Sequence, residues 1–161
     1  MRAVVQRVER ASVAVAGNEI ARIGKGILAL VAISGEDSQR DLEWMAKKIV
    51  ELRIFDDQEG RLNLSLLDVG GQLLLVSQFT LFGDCRKGRR PSYSEAAPPA
   101  KAQALYDAFV GIARQWVPDV QSGQFQAAME VELVNSGPVT LIIDSRDKFN
   151  THPPISSPGC Q

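Results

Sequence analysis

The sequence predicts an α+β fold, a mainly antiparallel, curled β-sheet packed with two helices. Three observations carry this. Residues 3 to 33 are rich in β-branched side chains at even spacing, broken only by short turn signals. Two later stretches, 38 to 51 and about 100 to 116, place apolar residues at helical spacing. The links among the early strands are too short for helical crossovers, so those strands should be antiparallel neighbours. A chain of 161 residues is one domain by length, and a core of that size can bury roughly 70% of the unfolded chain's surface. We expect residues 1–149 to form this domain and 150–161, with its three prolines, to be a loosely held tail.

Taken in order, Val4/Val8 and Val13/Val15 read as separate strands. Gly17-Asn18 suits a two-residue hairpin turn before Ile20 to Ile23, because both residues tolerate positive φ. Gly24-Lys25-Gly26 precedes a buried strand at Ile27 to Ile33. Ser38 is an N-cap with Asp41 three residues on, and Leu42, Met45, Ala46, Ile49 and Val50 form one apolar face. Asp56 to Gly60 is a polar loop, and Leu73 to Phe79 is an apolar strand. A Gly/Pro/charge-rich loop fills 83 to 99. The second helix follows, with Leu105, Phe109, Ile112, Ala113 and Trp116 on one face and Pro118 at its end. Met129, Val131 and Leu133 alternate with Glu130 and Glu132, and Val139, Leu141 and Ile143 alternate likewise. The Asn135 to Pro138 stretch between them reads as a hairpin connection.

Bulk properties exclude several classes. The formal net charge of −1 supplies no global field toward nucleic acid or anionic membrane, so RNA binding would need a local patch. Two cysteines, Cys85 and Cys160, and one histidine, His152, do not make a typical structural zinc site or a disulfide framework. No apolar run approaches the ~20 residues of a membrane helix, and the chain enters a strand pattern directly, without a signal peptide. These features suit a reducing cytoplasm, with no cofactor, no metal and no membrane.

Two short segments stand out. Ser77-Gln78-Phe79-Thr80-Leu81 closes an apolar strand with polar groups. As plain structure it is strand-end punctuation; as chemistry, backbone N–H groups exposed at a strand end can stabilise an oxyanion, and Ser77, Gln78 and Thr80 add donors and acceptors. By alternation Ser77 and Phe79 face one side and Gln78 and Thr80 the other, unless the strand bends. Asn135-Ser136-Gly137-Pro138-Val139-Thr140 alone reads as a turn.

Together, and in this order, the two segments resemble the S-Q-F-T and N-x-G-P-V-T signatures of the D-aminoacyl-tRNA deacylase family. The resemblance covers most of the chain. The start, Met1 to Val8, looks like the family's, and Arg86-Lys87-Gly88-Arg89-Arg90-Pro91-Ser92-Tyr93 is similar to its K-K-G-x-R-P-S-F segment. The resemblance implies hydrolysis of the ester between a D-amino acid, or glycine mischarged on tRNA-Ala, and the terminal ribose of tRNA. It implies a homodimer in which Gly137 and Pro138, joined by a cis bond, enter the partner's site. Their carbonyls would there accept from the substrate's amino group and leave no room for an L side chain. Arg7 matches a position thought to hold the partner's Gly-Pro loop, though alone it reads as a solvent-facing strand arginine. Asn135 supports the loop, and Met129 would sit near the adenosine pocket. The neighbouring 2′-hydroxyl would assist attack by water, N–H groups around Phe79 and Thr80 would hold the oxyanion, and Thr80 could position water or act as nucleophile. Where the family usually has Phe-Gly-Ala, this chain has Phe125-Gln126-Ala127. If that position needs positive φ, Gln126 must relax the turn. Ser136 stands where the family often has an acid.

The cations Arg86, Lys87, Arg89 and Arg90 form either a solvated loop or a patch that positions tRNA through phosphates. A triad esterase would have to recruit His152 from the tail, and Cys85 would need a depressed pKa to act as nucleophile. Trp44 and Trp116 read as core or interface packing. The alternative is a non-catalytic nucleic-acid-binding dimer on the same scaffold; D-aminoacyl-tRNA is the expected partner, and DNA is not.

Overall fold

The computed structural model describes residues 1–148; the expectations for the 150–161 tail, His152 and Cys160 fall outside the described residues. In chain order the elements are β1 (Arg2–Val15), β2 (Asn18–Ile23), β3 (Gly26–Ala32), α1 (Gln39–Glu51), β4 (Phe55–Asp56), β5 (Leu62–Leu64), β6 (Gln72–Ser77), α2 (Pro99–Trp116), β7 (Val120–Ser122) and β8 (Met129–Asp144). A 3-10 turn spans Phe79–Phe82 and another Ser145–Lys148.

β1 is the spine of the sheet. Arg2 to Val8 pairs with β3, Ala11 to Val15 pairs with β2, and both halves pair with β8, all antiparallel. The separate strands expected at Val4–Val8 and Val13–Val15 are therefore one strand. Glu9 and Arg10 are exposed but stay extended while the chain passes from one partner to the next.

The sheet is mixed, which corrects the mainly antiparallel expectation. β3 pairs with β6 and β6 with β7 in parallel. The cause lies in the connections. Each of these pairs is bridged by a helix, α1 in the first case and α2 in the second, and a crossover of that length returns the chain in the same direction. The early strands, joined by two-residue turns, are antiparallel as expected, but the first turn is Ala16-Gly17, both at positive φ, rather than Gly17-Asn18: Val15 pairs with Asn18, so Asn18 opens β2. β3 and β6 approach so closely at Gly26↔Gln72 that a Cβ on Gly26 would lie 1.9 Å from the Gln72 carbonyl oxygen.

Two cores follow from strand alternation. On one face Ile27, Leu73 and Leu75 meet Leu42, Met45, Ile49 and Val50 of α1 and Phe109 and Ala113 of α2. On the other, Leu28, Leu74 and Val76 meet Val8, Val13 and Ile23. Because β2, at one end of the strand order, also lies near β6 and β7, the sheet is nearly barrel-like. α1 begins as expected: the Asp41 carboxylate accepts from the Ser38 N–H at 3.0 Å and its hydroxyl at 2.8 Å. The buried face of α2 is Tyr106, Phe109, Val110, Ile112 and Ala113; Trp116 is exposed, and Trp44 packs half-buried against the core. No helix among the described residues is long and apolar enough to cross a membrane.

Candidate active site

The first motif sits at a corner. β6 ends at Ser77, where the backbone turns at Gln78 (φ −146, ψ 76) and enters the 3-10 turn. The strand expected to run through Phe79 thus stops two residues early, and the facing predicted by alternation fails beyond Ser77. The Gln78 N–H makes the last rung, donating to Val31 O at 2.7 Å, and the turn's own bonding starts with Leu81 N–H to Gln78 O at 3.2 Å. The N–H groups of Phe79 and Thr80 fall between these and have no partner within the turn. Gln78 Nε2 donates to Thr80 Oγ1, tying the two side chains together.

A cavity of about 830 Å³ opens beside this corner, within the usual range for ligand sites. Val31, Ile33 and Val76 line it together with Ser77, Gln78 and Phe79, and Tyr93, Tyr106, Phe125, Gln126 and Met129 complete the wall. Of the residues expected at the site, Ser77, Gln78, Phe79 and Met129 are brought together. Thr80 stays at the corner, exposed, outside the lining. Sequence reasoning missed the aromatic wall. Tyr106 donates to Leu75 O at 2.8 Å, and burial pushes its phenol well above the ordinary range, so it stays a neutral donor bracing the cavity. Its signal was present: 106, 109, 110 and 113 form a helical face, shifted one residue from the face starting at Leu105.

Gln126 keeps φ at +61 rather than relaxing the turn, which corrects that expectation. The neighbouring Phe125 ring lies 6.1 Å from that of Tyr106. On either side of the turn, Phe125 packs against the first core and Met129 against the second.

The second motif is not a hairpin connection. Thr140 pairs with Gln6 and Asn135 with Val8, so Ser136 to Val139 stand opposite Arg7 alone as a wide bulge inside one strand. The long, continuous β1 templates both halves of β8 in one direction, and the extra residues are pushed out. The Gly137-Pro138 bond is cis, both residues are exposed, and Val139 is buried as an anchor. Gln6, which sequence reasoning also missed, spans the bulge: its Nε2 donates to Asn135 Oδ1 at 3.2 Å and Thr140 Oγ1 at 3.3 Å.

Arg7 does not face solvent; it is 6% exposed. Its Nε donates to Ser136 O and its Nη2 to Gly137 O, both at 3.1 Å, while Nη1 reaches Ile54 O at 2.8 Å and Asp56 Oδ2 at 3.2 Å. Arg7 thus holds the bulge of its own chain. Gly137 O keeps a second lone pair for another donor. Neither Arg7, Asn135, Gly137 nor Pro138 lines the cavity of the same chain.

The basic loop is closed by Asp84 and Ser92, whose backbones exchange hydrogen bonds of 2.7 and 3.0 Å. Arg86 turns back on Asp84, Nη2 to Oδ2 at 2.8 Å, and this hydrogen-bonded guanidinium holds the Asp84 carboxyl at about 2. Among the described residues Lys87, Arg89 and Arg90 make no ion pair, so three cations rather than four are free to meet an anion. Cys85 is exposed in this loop.

The sequence model of the family described as D-Tyr-tRNA(Tyr) deacylase matches residues 4–144. The chain is 58% identical over 150 residues to a D-aminoacyl-tRNA deacylase of Chloroherpeton thalassium, covering 92% of this chain and 98% of that one. It is 54% identical over 149 residues to that of Thermosipho africanus, covering 92% and 100%. A solved structure titled c-Myc DNA Unwinding Element Binding Protein superposes with a TM-score of 0.85 at 42% identity, covering 89% of this chain and 98% of that one.

Proposed function

The chain belongs to the D-Tyr-tRNA(Tyr) deacylase family, and we propose that the Ser77–Thr80 corner of one copy and the Gly137-Pro138 bulge of a second copy form its active site. The protein hydrolyses the ester of D-aminoacyl-tRNA to free D-amino acid and tRNA, a proofreading of chirality.

The observation that carries the proposed site is the pair of N–H groups, Phe79 and Thr80, that have no partner among the described residues, at the corner beside the cavity. The esterified adenosine enters the cavity against Phe125 and Met129. The ester carbonyl lies at the corner, where the two N–H groups meet the oxyanion as water adds. Ser77 and Gln78 shape the pocket, and Thr80, tethered by Gln78, positions water or attacks. No histidine occurs among residues 1–148, and the 2′-hydroxyl next to the ester takes part in proton transfer instead. Rate then comes from proximity and oriented dipoles.

The chirality gate works in trans. The dipeptide is exposed, with Arg7 bound to the Ser136 and Gly137 carbonyls and Gln6 bridging Asn135 and Thr140 on either side, yet it lies outside its own chain's cavity. Such a bulge fits a C2 pair in which each copy caps the other's site. Exclusion by backbone rejects an L side chain without reading which D side chain is present. Glycine has no side chain to exclude, so glycyl-tRNA mischarged on tRNA-Ala is also a substrate. Lys87, Arg89 and Arg90 position tRNA through phosphates, and the enzyme works in the cytoplasm, where its substrate is.

A second reading, a non-catalytic nucleic-acid-binding dimer, draws on the DNA-binding title of the 42% identical structure. The test is deacylation of D-Tyr-tRNA and L-Tyr-tRNA by the wild type and Pro138→Ala. Release from the D ester alone, with activity or stereoselectivity lost in the variant, is expected. A folded dimer that binds tRNA and releases nothing would favour the second reading.

A further inference from the structure

In the single chain Phe79 and Tyr93 are exposed large rings, 58% and 38% accessible, at the wall of the cavity. They form an edge-to-face pair with centroids 5.2 Å apart and planes at 70°. Tyr93 is backed by Gly83, where a Cβ would come within 3.1 Å of the ring. The glycine therefore makes the seat that holds this ring upright. Tyr93 also directly follows the loop closed by the Asp84 and Ser92 hydrogen bonds, so the unpaired Lys87, Arg89 and Arg90 are carried on the segment that leads into it.

We propose that this aromatic pair, flanked by the three loop cations, is a stacking platform for the nucleotide that precedes the esterified one in the single-stranded 3′ end of the substrate. The inference rests on the deacylase reading above and adds a subsite to it. A polymer whose last residue fills the cavity must leave past the cavity's wall, and two exposed rings stand there. Rings offering π-faces beside unpaired cations are what a single strand of bases and phosphates recognises, and stacking of this kind is tolerant of base identity. The two halves of Phe79 then do different work: its N–H faces the ester, and its ring faces outward toward the preceding base. The Arg86–Asp84 pair keeps the loop's hairpin closed and withdraws Arg86 from the phosphates.

The test is calorimetric titration of the full chain with three non-hydrolysable probes. These are 3′-(D-tyrosylamino)-3′-deoxyadenosine, the same nucleoside extended on its 5′ side by one cytidylate, and the same extended by two. The first extension should tighten binding roughly tenfold, the range expected for one base on an aromatic ring. Tyr93→Ala should abolish that gain and Tyr93→Phe should keep it. Replacing Lys87, Arg89 and Arg90 with serine should flatten the salt dependence of the extended probe, by about 0.7 in log–log slope for each phosphate that is no longer neutralised. No gain on extension, a gain that survives Tyr93→Ala, or an equal weakening of all three probes by Tyr93→Ala would overturn the platform while leaving the deacylase site standing. Failure of the bare nucleoside to bind would overturn the site, and the platform with it.

Discussion

At the scale of single residues, two side chains show how context overrules type. Gln126 occupies a left-handed conformation that costs an L residue about 1–2 kcal/mol. Gln126→Gly removes that cost but loosens the unfolded chain, which takes back about 0.4–1 kcal/mol. The expected net gain is about 0.5–1 kcal/mol, a rise of about 1–4 °C in Tm by thermal unfolding. A fall in Tm would mean that the glutamine side chain makes interactions worth more than the strain. Arg7 is the opposite case, a residue whose three guanidinium nitrogens are all engaged. It holds three carbonyls on two separate segments, the bulge and the Ile54–Asp56 stretch. Lysine keeps the charge but not the fork. Arg7→Lys should therefore cost about 2–3 kcal/mol, read as a lowered urea midpoint at unchanged slope, and should impair D-selective hydrolysis at least tenfold. From sequence Arg7 alone reads as a solvent-facing strand residue. Its burial depends on Ile54 and Ser136, which lie far away in the chain.

At the scale of elements, the helices and the early hairpin were legible because their determinants are local. The Ser38/Asp41 cap, the apolar face of α1 and the Gly17 turn each act over a few residues. Strand direction after each helix was not legible, because it depends on where the crossover lands. The same holds for β8: its two halves alternate as two strands would, and only the continuous β1 beside them makes them one. The parallel β3–β6 pairing has a sharp requirement at Gly26, since any Cβ there meets the Gln72 backbone rather than a side chain that could swing away. Gly26→Ala should destabilise by about 3 kcal/mol or more in chemical denaturation. A near-neutral result would mean that the two strands can part at that end without loss.

At the scale of the whole molecule, the proposed division of the site between two copies makes a prediction that no single-chain site can meet. Phe79→Pro removes one oxyanion donor at the first position of the 3-10 turn, where proline is tolerated, and should lower kcat by about 10²–10³. Pro138→Ala disables the gate. If each site combines the corner of one copy with the bulge of the other, mixing the two variants and allowing subunit exchange should restore roughly a quarter of the wild-type sites. Half of the dimers would be mixed, and each would hold one intact site. A gate acting within its own chain would leave every site defective, and the mixture would show no more D-selective hydrolysis than the two variants alone.

The sequence by itself determined the α+β class, the two helices and the presence of two polar segments that interrupt apolar strands, because periodicity, capping and turn chemistry act over a few residues. It also carried the family signature at Ser77–Thr80 and Asn135–Thr140. Only the tertiary structure decided that the first segment is a corner with free N–H groups, that the second is a bulge clamped by Arg7 and Gln6, and that Tyr93, Tyr106 and Phe125 wall one cavity. These are relations between residues that lie tens to more than a hundred positions apart. They arise from strand pairing and crossover geometry, which no local pattern encodes.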